Sequence, residues 1–325
     1  MILILSTPSD PDTDRVIDWI NKSESEYFRL NEEDLMSGKV EFYYNPKREQ
    51  DTYISTFERK IYFNQIKVVW FRKFGFLKSF ENEFGKSSDL VRYLYKELMI
   101  ISKLIYKLLE DKIWLFKKNN MLTKLEVLKK ANEIGILIPE TIVTTNKSVL
   151  SNFFNQEKQL ITKSIGDGSL INYKDLVYNF YTSRIEYIDN ILEEFSPSLF
   201  QKYTEKEYEL RIFFIEDSFF AMSIFSQANK KTKYDFRNYD IQNPNRFEPY
   251  NLPKMIERKL NILMKNIGLN TGSIDMIKTP EGDYVFLEVN PSGQFGMTAF
   301  PCNYPLHKIV ANFLIKNSKV SNYDK

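Results

Sequence analysis

The chain has 325 residues, 43% of them hydrophobic, and its 45 basic and 43 acidic residues leave a net charge of +2. That length accommodates two or three sub-domains with cores of their own, and so even a charge balance argues against nucleic acid or an anionic membrane as the main partner. One cysteine, Cys302, and one histidine, His307, exclude internal disulfides and multi-cysteine zinc sites and argue against Ser-His-Asp or Cys-His triads, which turns attention to carboxylates, Lys, Arg and hard cations.

The apolar residues 2–5 stop at Ser6, Thr7 and Pro8 without a basic leader, too short for a signal sequence or a membrane span. They read as a buried first strand, and with the lone cysteine they fit a cytoplasmic protein. A helix over 13–21 and strands over 27–30 and 67–71 complete a small α/β unit. Leu90, Val91, Leu94, Leu98, Ile101, Ile105 and Leu108 fall at three- and four-residue spacing, one stripe of a long amphipathic helix that closes the first domain or forms a dimer face. Thr123 with Glu126 is a capping-box pattern opening a second unit, whose first helix ends near Gly135 and Pro139 before a strand at 141–144. Strand-like runs at 199–203, 208–215 and 219–225 and a helix at 253–267 lead to a final hairpin. The expected class is α/β or α+β with mixed sheets, in three sub-domains at 1–115, 116–197 and 198–325.

The hairpin pairs 272–277 with 284–290 about the turn at 279–283, placing Asp275 roughly opposite Glu288, while Glu288 and Asn290, two apart, share a face. Three hard oxygen donors on apolar strands are costly to bury without a cation, and Mg²⁺ suits a site with few protein ligands because it keeps waters and substrate phosphates. A lone Glu-x-Asn is more often a surface pair and a turn cap; the opposed Asp275 and the following Pro291, Ser292, Gly293 and Gln294 favour the metal. On the strand at 208–215, Arg211 alternates in register with Glu209 and shares its face, where a guanidinium suits phosphate oxygens.

The run from Glu288 through Asn290 to Gln294 resembles the metal-binding signature of the ATP-grasp superfamily, in the form found in the ligases that macrocyclise graspetides. Trp70 to Lys73, Lys124 to Glu126, 138–142, 161–163, Phe200 to Tyr203, Glu209 with Arg211, and Asp235 with Arg237 occur in the order that family shows and cover nearly the whole chain. Among the sub-groups the chain looks most like the grasp-with-spasm peptide maturases.

The resemblance implies an ATP-grasp fold in three sub-domains with the nucleotide between the central and C-terminal ones. It makes Lys124 and Lys163 the phosphate-reaching lysines, Lys163 standing before the loop Gly166, Asp167, Gly168 and Ser169. It makes Gln201, Lys202 and Tyr203 the hinge that meets adenine, Glu209 the ribose acid, and Asp275, Glu288 and Asn290 the Mg²⁺ ligands. Arg211 would then stabilise phosphoryl transfer, Asp235 and Arg237 would orient the substrate carboxylate and hydroxyl with Asp235 as a possible base, and Arg72 would face the substrate cleft. Singly, each lysine is more often a solvated charge, Gln201 a polar strand residue, and 229–237 a solvated basic loop. His307 reads as a satisfied surface or interface residue and Cys302 as inert.

The implied reaction uses ATP and Mg²⁺ to phosphorylate an Asp or Glu side chain of a ribosomal precursor peptide with a leader segment, and then joins it to a Ser or Thr hydroxyl as a lactone. The partners implied are that peptide and a second copy in a homodimer, with no nucleic acid and no membrane. Two alternatives share the nucleotide motifs: an amide-forming ligase acting on a Lys-containing peptide, a protein tail or a small amino acid, and a nucleotide-binding module without turnover.

Overall fold

The computed structural model describes residues 1–74, 89–117, 122–166, 171–173, 176–178 and 181–319, and these form two compact units: Met1–Asn120 with Pro305–Lys325, and Met121–Tyr304.

In the first unit, β1 (Ile2–Ser6) lies between β2 (Tyr27–Asn31) and a later strand of the same parallel sheet. A separate antiparallel sheet of β3 (Glu41–Tyr43), β4 (Tyr53–Ser55) and β5 (Lys60–Tyr62) precedes that later strand, β6 (Val68–Phe71), which also pairs with β7 (Ile113–Leu115). All residues of β1 and β6 are buried, the unbroken apolar run that a parallel strand covered on both faces requires. The helix Pro11–Asn21 starts where Asp10 accepts from the Thr13 amide at 3.1 Å and a proline opens the first turn. It packs against the last helix, Leu306–Ser318, which also meets β6. The long helix expected from periodicity spans Asp89–Leu108.

A buried ion cluster sits at the carboxyl ends of β1 and β6. Arg72 is fully buried; its Nε donates to Asp10 at 2.9 Å and its Nη2 to Asp12 at 2.8 Å, while Lys73 Nζ donates to Asp10 at 2.8 Å. Burial alone would raise the Asp10 carboxyl, but Arg72 beside it holds it well below the usual carboxylate range. His307, expected at a surface or interface, is buried, with Nε2 2.9 Å from Asp12 Oδ1. Arg72 is thus enclosed in the first unit among carboxylates, and its sequence-based assignment to a substrate cleft gains no support from this placement.

The second unit is built on two antiparallel sheets. One orders β12 (Ser183–Ile185), β9 (Leu160–Lys163), β13 (Glu194–Lys202) and β8 (Thr141–Asn146). The other orders β16 (Arg246–Tyr250), β15 (Ser218–Phe225), β14 (Tyr208–Ile215), β17 (Thr271–Lys278) and β18 (Tyr284–Asn290), and a small hairpin pairs β10 (Ile171–Tyr173) with β11 (Leu176–Tyr178). The capping box at Thr123 forms as expected, Thr123 N donating to Glu126 Oε2 at 2.7 Å, and starts the helix Lys124–Glu133. That helix and Lys254–Asn266 cover one face of the five-stranded sheet through Leu128, Ala131, Leu260, Ile212, Met276 and Phe286. Alternation then leaves Glu209, Arg211 and Asp275 on the opposite face.

Replacing Arg72 by Ala leaves two carboxylates in the core of the first unit without their main counterion, and should cost about 3–5 kcal/mol. All three tryptophans (Trp19, Trp70, Trp114) lie in that unit, so tryptophan fluorescence reads the loss as a lower urea midpoint. Because the Asp10 pKa is depressed, its contribution is present above its unfolded value of 3.8 and is lost as pH falls through the folded one.

Candidate functional site

A bulge in the hairpin makes the site. Near the turn Lys278 faces Tyr284, Ile277 faces Val285 and Met276 faces Phe286, but Asp275 faces Glu288, so Leu287 is an extra residue in β18. Without it Asp275 would face Leu287, and Glu288 would share the core face of Phe286. With it, Phe286 and Val289 stay in the core while Glu288 and Asn290 turn to the face of Asp275 and Ser273.

Two carboxylates in direct cross-strand opposition repel, and three cations surround them. Arg211, in register with Asp275 on the neighbouring strand, donates from Nη1 at 2.6 Å. Lys124 Nζ, from the first turn of its helix, is 3.1 Å from Glu288 Oε2. Lys163 ends β9 on the other sheet; burial pushes its ammonium down and Glu288 pulls it back up. Burial and the Glu288 charge push the Asp275 carboxyl up against the pull of Arg211. Burial acts the same way on Glu288, but Lys124 and Lys163 outweigh it and hold that carboxyl low.

Between the sheets lies a cleft walled by Pro139, Ile161, Ile277 and Leu287. Gln201 is fully buried at its edge; Nε2 donates to Thr141 Oγ1 at 2.9 Å, and Oε1 has no partner among the described residues. Such an orphan acceptor suits an exocyclic amino group of a ligand. Tyr203 also lines the cleft, with its amide engaged by the Gln159 carbonyl, whereas Lys202 directs its ammonium to Glu157 at 3.0 Å. Glu209 is buried, and Lys206 at 2.7 Å and Ser226 at 2.8 Å both donate to its Oε1, leaving Oε2 for a ligand among the described residues. Burial raises its carboxyl, with Lys206 opposing.

In the same cleft, Arg237 donates to both oxygens of Asp235, at 2.8 and 2.7 Å, and the Thr182 amide donates to Asp235 at 3.1 Å. Burial works against the Asp235 carboxylate, but these bonds, led by Arg237, hold its pKa down. Of the residues expected in the site, Lys163, Gln201, Lys202, Tyr203, Glu209, Asp235, Arg237, Asp275 and Glu288 line this one cleft, Arg211 and Lys124 are bonded to its carboxylates, and Asn290 accepts from Ser292 at 3.0 Å. Of the loop 166–169, all but Gly166 lies outside the described residues.

Lys206, Ser226, Thr182 and Tyr234 were not singled out by sequence reasoning. Only Lys206, three residues before Glu209, left a local signal. Among the described residues no three His, Cys, Asp or Glu side chains converge on a metal. The donor set is instead two carboxylates and an amide, hard oxygens that fit a cation whose remaining ligands are phosphates and water.

The whole chain superposes on solved enzymes. Macrocyclase MdnC from Microcystis aeruginosa MRC, bound with precursor peptide MdnA, matches with a TM-score of 0.83 and 26% identity over 97% of this chain and 100% of that one. A RiPP-associated ATP-grasp ligase from Chryseobacterium gregarium, in complex with ADP and a leader and core peptide, matches with a TM-score of 0.82 and 27% identity over 100% of this chain and 98% of its own. The chain has the ATP-grasp fold. The ATP-grasp ligase PsnB, complexed with a phosphomimetic variant of minimal precursor, Mg and ADP, shares the fold at a TM-score of 0.74 and 16% identity, covering 98% of each chain. No family model matches the sequence, and no curated protein matches it significantly. In this ATP-grasp fold the carboxylate pair and Arg211 stand on one sheet of the second unit, Lys163 on the other, and Lys124 on a helix.

Replacing Lys163 by Ala should weaken Mg·ADP binding about tenfold or more, the worth of one charge-assisted bond. Glu288→Gln should abolish the gain in ADP affinity that Mg²⁺ gives. Calorimetry with and without Mg²⁺ measures both.

Proposed function

We propose that this chain is an ADP-forming ATP-grasp ligase that activates Asp or Glu side chains of a ribosomal precursor peptide and joins them to Ser or Thr hydroxyls as ester crosslinks. The observation that carries this reading is the opposed pair Asp275 and Glu288 held among Arg211, Lys124 and Lys163, with Asp235 and Arg237 lining the same cleft.

In this reading the apolar walls and Gln201 receive the adenine, Glu209 Oε2 the ribose, and Lys124, Lys163 and Arg211 the phosphates. Asp275, Glu288 and Asn290 would hold Mg²⁺, which supplies neutralisation of phosphate charge. Arg237 pairs the peptide carboxylate and sets its oxygen toward the γ-phosphorus; that oxygen bonds to phosphorus as the bond to ADP breaks. The hydroxyl oxygen then attacks the acyl carbon, the bond from that carbon to the phosphate oxygen breaks, and the departing phosphate carries the hydroxyl proton away. A closed cleft keeps water from the anhydride and replaces a bimolecular encounter with a positioned one.

Asp235 serves here as a brace rather than a base. A carboxylate gripped on both oxygens, with a depressed pKa, is a weak proton acceptor at neutral pH, but it fixes the Arg237 guanidinium. A leader segment of the peptide, a homodimer and a cytoplasmic setting belong to the same proposal. Exposed Leu90, Tyr93 and Ile100 on the helix Asp89–Leu108 supply an apolar face for the dimer, and no helix among the described residues is long and apolar enough to cross a membrane.

The test is intact-mass analysis of a candidate precursor peptide, taken from a neighbouring reading frame, incubated with the protein, ATP and Mg²⁺. The expected result is stepwise loss of one water per crosslink, reversed by mild base; losses that resist mild base would replace ester by amide, and an unchanged mass for a bound precursor would contradict the proposal. Arg237→Ala should slow crosslinking about a hundredfold while leaving Mg·ADP affinity largely in place.

A further inference from the structure

The acceptor-side pair Asp235 and Arg237 does not stand on a strand. It belongs to the irregular segment 229–240, which is tied to both sheets of the second unit. On the five-stranded side, Phe236 is buried with Met222, Ile224 and Cys302, and the Thr232 hydroxyl donates to the Ser226 carbonyl at 3.1 Å. On the other side, the ties are the Thr182 amide on Asp235 and Arg184 of β12, whose Nη1 donates to the Tyr234 hydroxyl at 3.2 Å. β12 pairs with β9, the strand that ends in Lys163.

Tyr234 lies where these ties meet the nucleotide end of the cleft. Its ring is 5.7 Å from that of Tyr203, inclined at 68°, and both rings line the cavity with Gln201 and Glu209. The next residue in the chain is Asp235. Arg184 is exposed, and a hydrogen bond at an exposed site holds a segment weakly. A purine packed against these two aromatic rings gains apolar contact with both.

We propose that Tyr234 is a positioning residue through which an occupied nucleotide cleft fixes Asp235 and Arg237 for the peptide carboxylate. Nucleotide binding then orders the acceptor side before the peptide engages it, so the two ligands bind with positive coupling. This rests on the nucleotide reading of the cleft given above.

The experiment is hydrogen exchange on the full chain with and without saturating Mg·ADP, with calorimetry confirming saturation. In the wild-type protein, Mg·ADP is expected to slow exchange of the amides of 182–185 and 234–240 by about fivefold or more, the low end of a typical coupling. Tyr234→Ala should still bind Mg·ADP at higher concentration yet show no slowing at saturation, and Tyr234→Phe, which keeps the ring, should restore it. Arg184→Gln, on an exposed side chain, loses the same hydrogen bond as Tyr234→Phe and should likewise keep the slowing, because the ring contact carries the coupling. Full slowing in Tyr234→Ala, or wild-type protein that binds Mg·ADP with no slowing, would overturn the inference. Wild-type protein that does not bind Mg·ADP would overturn the nucleotide reading itself.

Discussion

Asp275 and Glu288 face each other across neighbouring antiparallel strands, an arrangement that sheet energetics disfavours, and the rest of the second unit compensates for it. Arg211 answers Asp275 from the next strand, Lys124 answers Glu288 from a helix N-terminus whose dipole adds to its charge, and Lys163 reaches the same pair from the facing sheet. Each cation is fixed by an element with its own reason to form: a ladder register, a capping box, a strand end. The result is preorganised charge in a partly dry cleft, where electrostatic stabilisation of a transferring phosphoryl group costs no reorganisation at the moment of reaction.

Much of this was legible in the sequence, and the failures have physical causes. The hairpin followed from strand runs flanking a Gly-containing turn, and the shared face of Glu209 and Arg211 from strict alternation. The bulge at Leu287 was not legible, because 285–287 are all apolar and any of them could face the core. It decides the site, since without it the two carboxylates would not meet. The companions of Glu209 and Asp235 were hidden for a different reason. Ser226 and Thr182 are 17 and 53 residues from the groups they bond, and periodicity carries no information over such spans.

The first unit shows the same limit in a cluster. Arg72 entered the sequence reading as part of a motif, and its burial depends on Asp10, Asp12 and His307, the last held 295 residues from Asp12. A buried charge is tolerable only when paired and hydrogen-bonded, so this network ties the C-terminal helix into the N-terminal sheet. The single histidine, read from sequence as a surface or interface residue, is buried against Asp12 in the fold. Burial pushes the Cys302 thiol up to about 11, away from the thiolate that reactivity needs.

The central claim is that a peptide carboxylate, activated in this cleft, receives the phosphoryl group of ATP. It is tested most directly by a precursor peptide whose acidic side chains carry oxygen-18, turned over with ATP and Mg²⁺, with the released phosphate analysed by mass. An acyl phosphate leaves one labelled oxygen on phosphate for each crosslink formed, whether the product is ester or amide. Unlabelled phosphate accompanying a crosslinked product would contradict carboxylate activation by phosphoryl transfer.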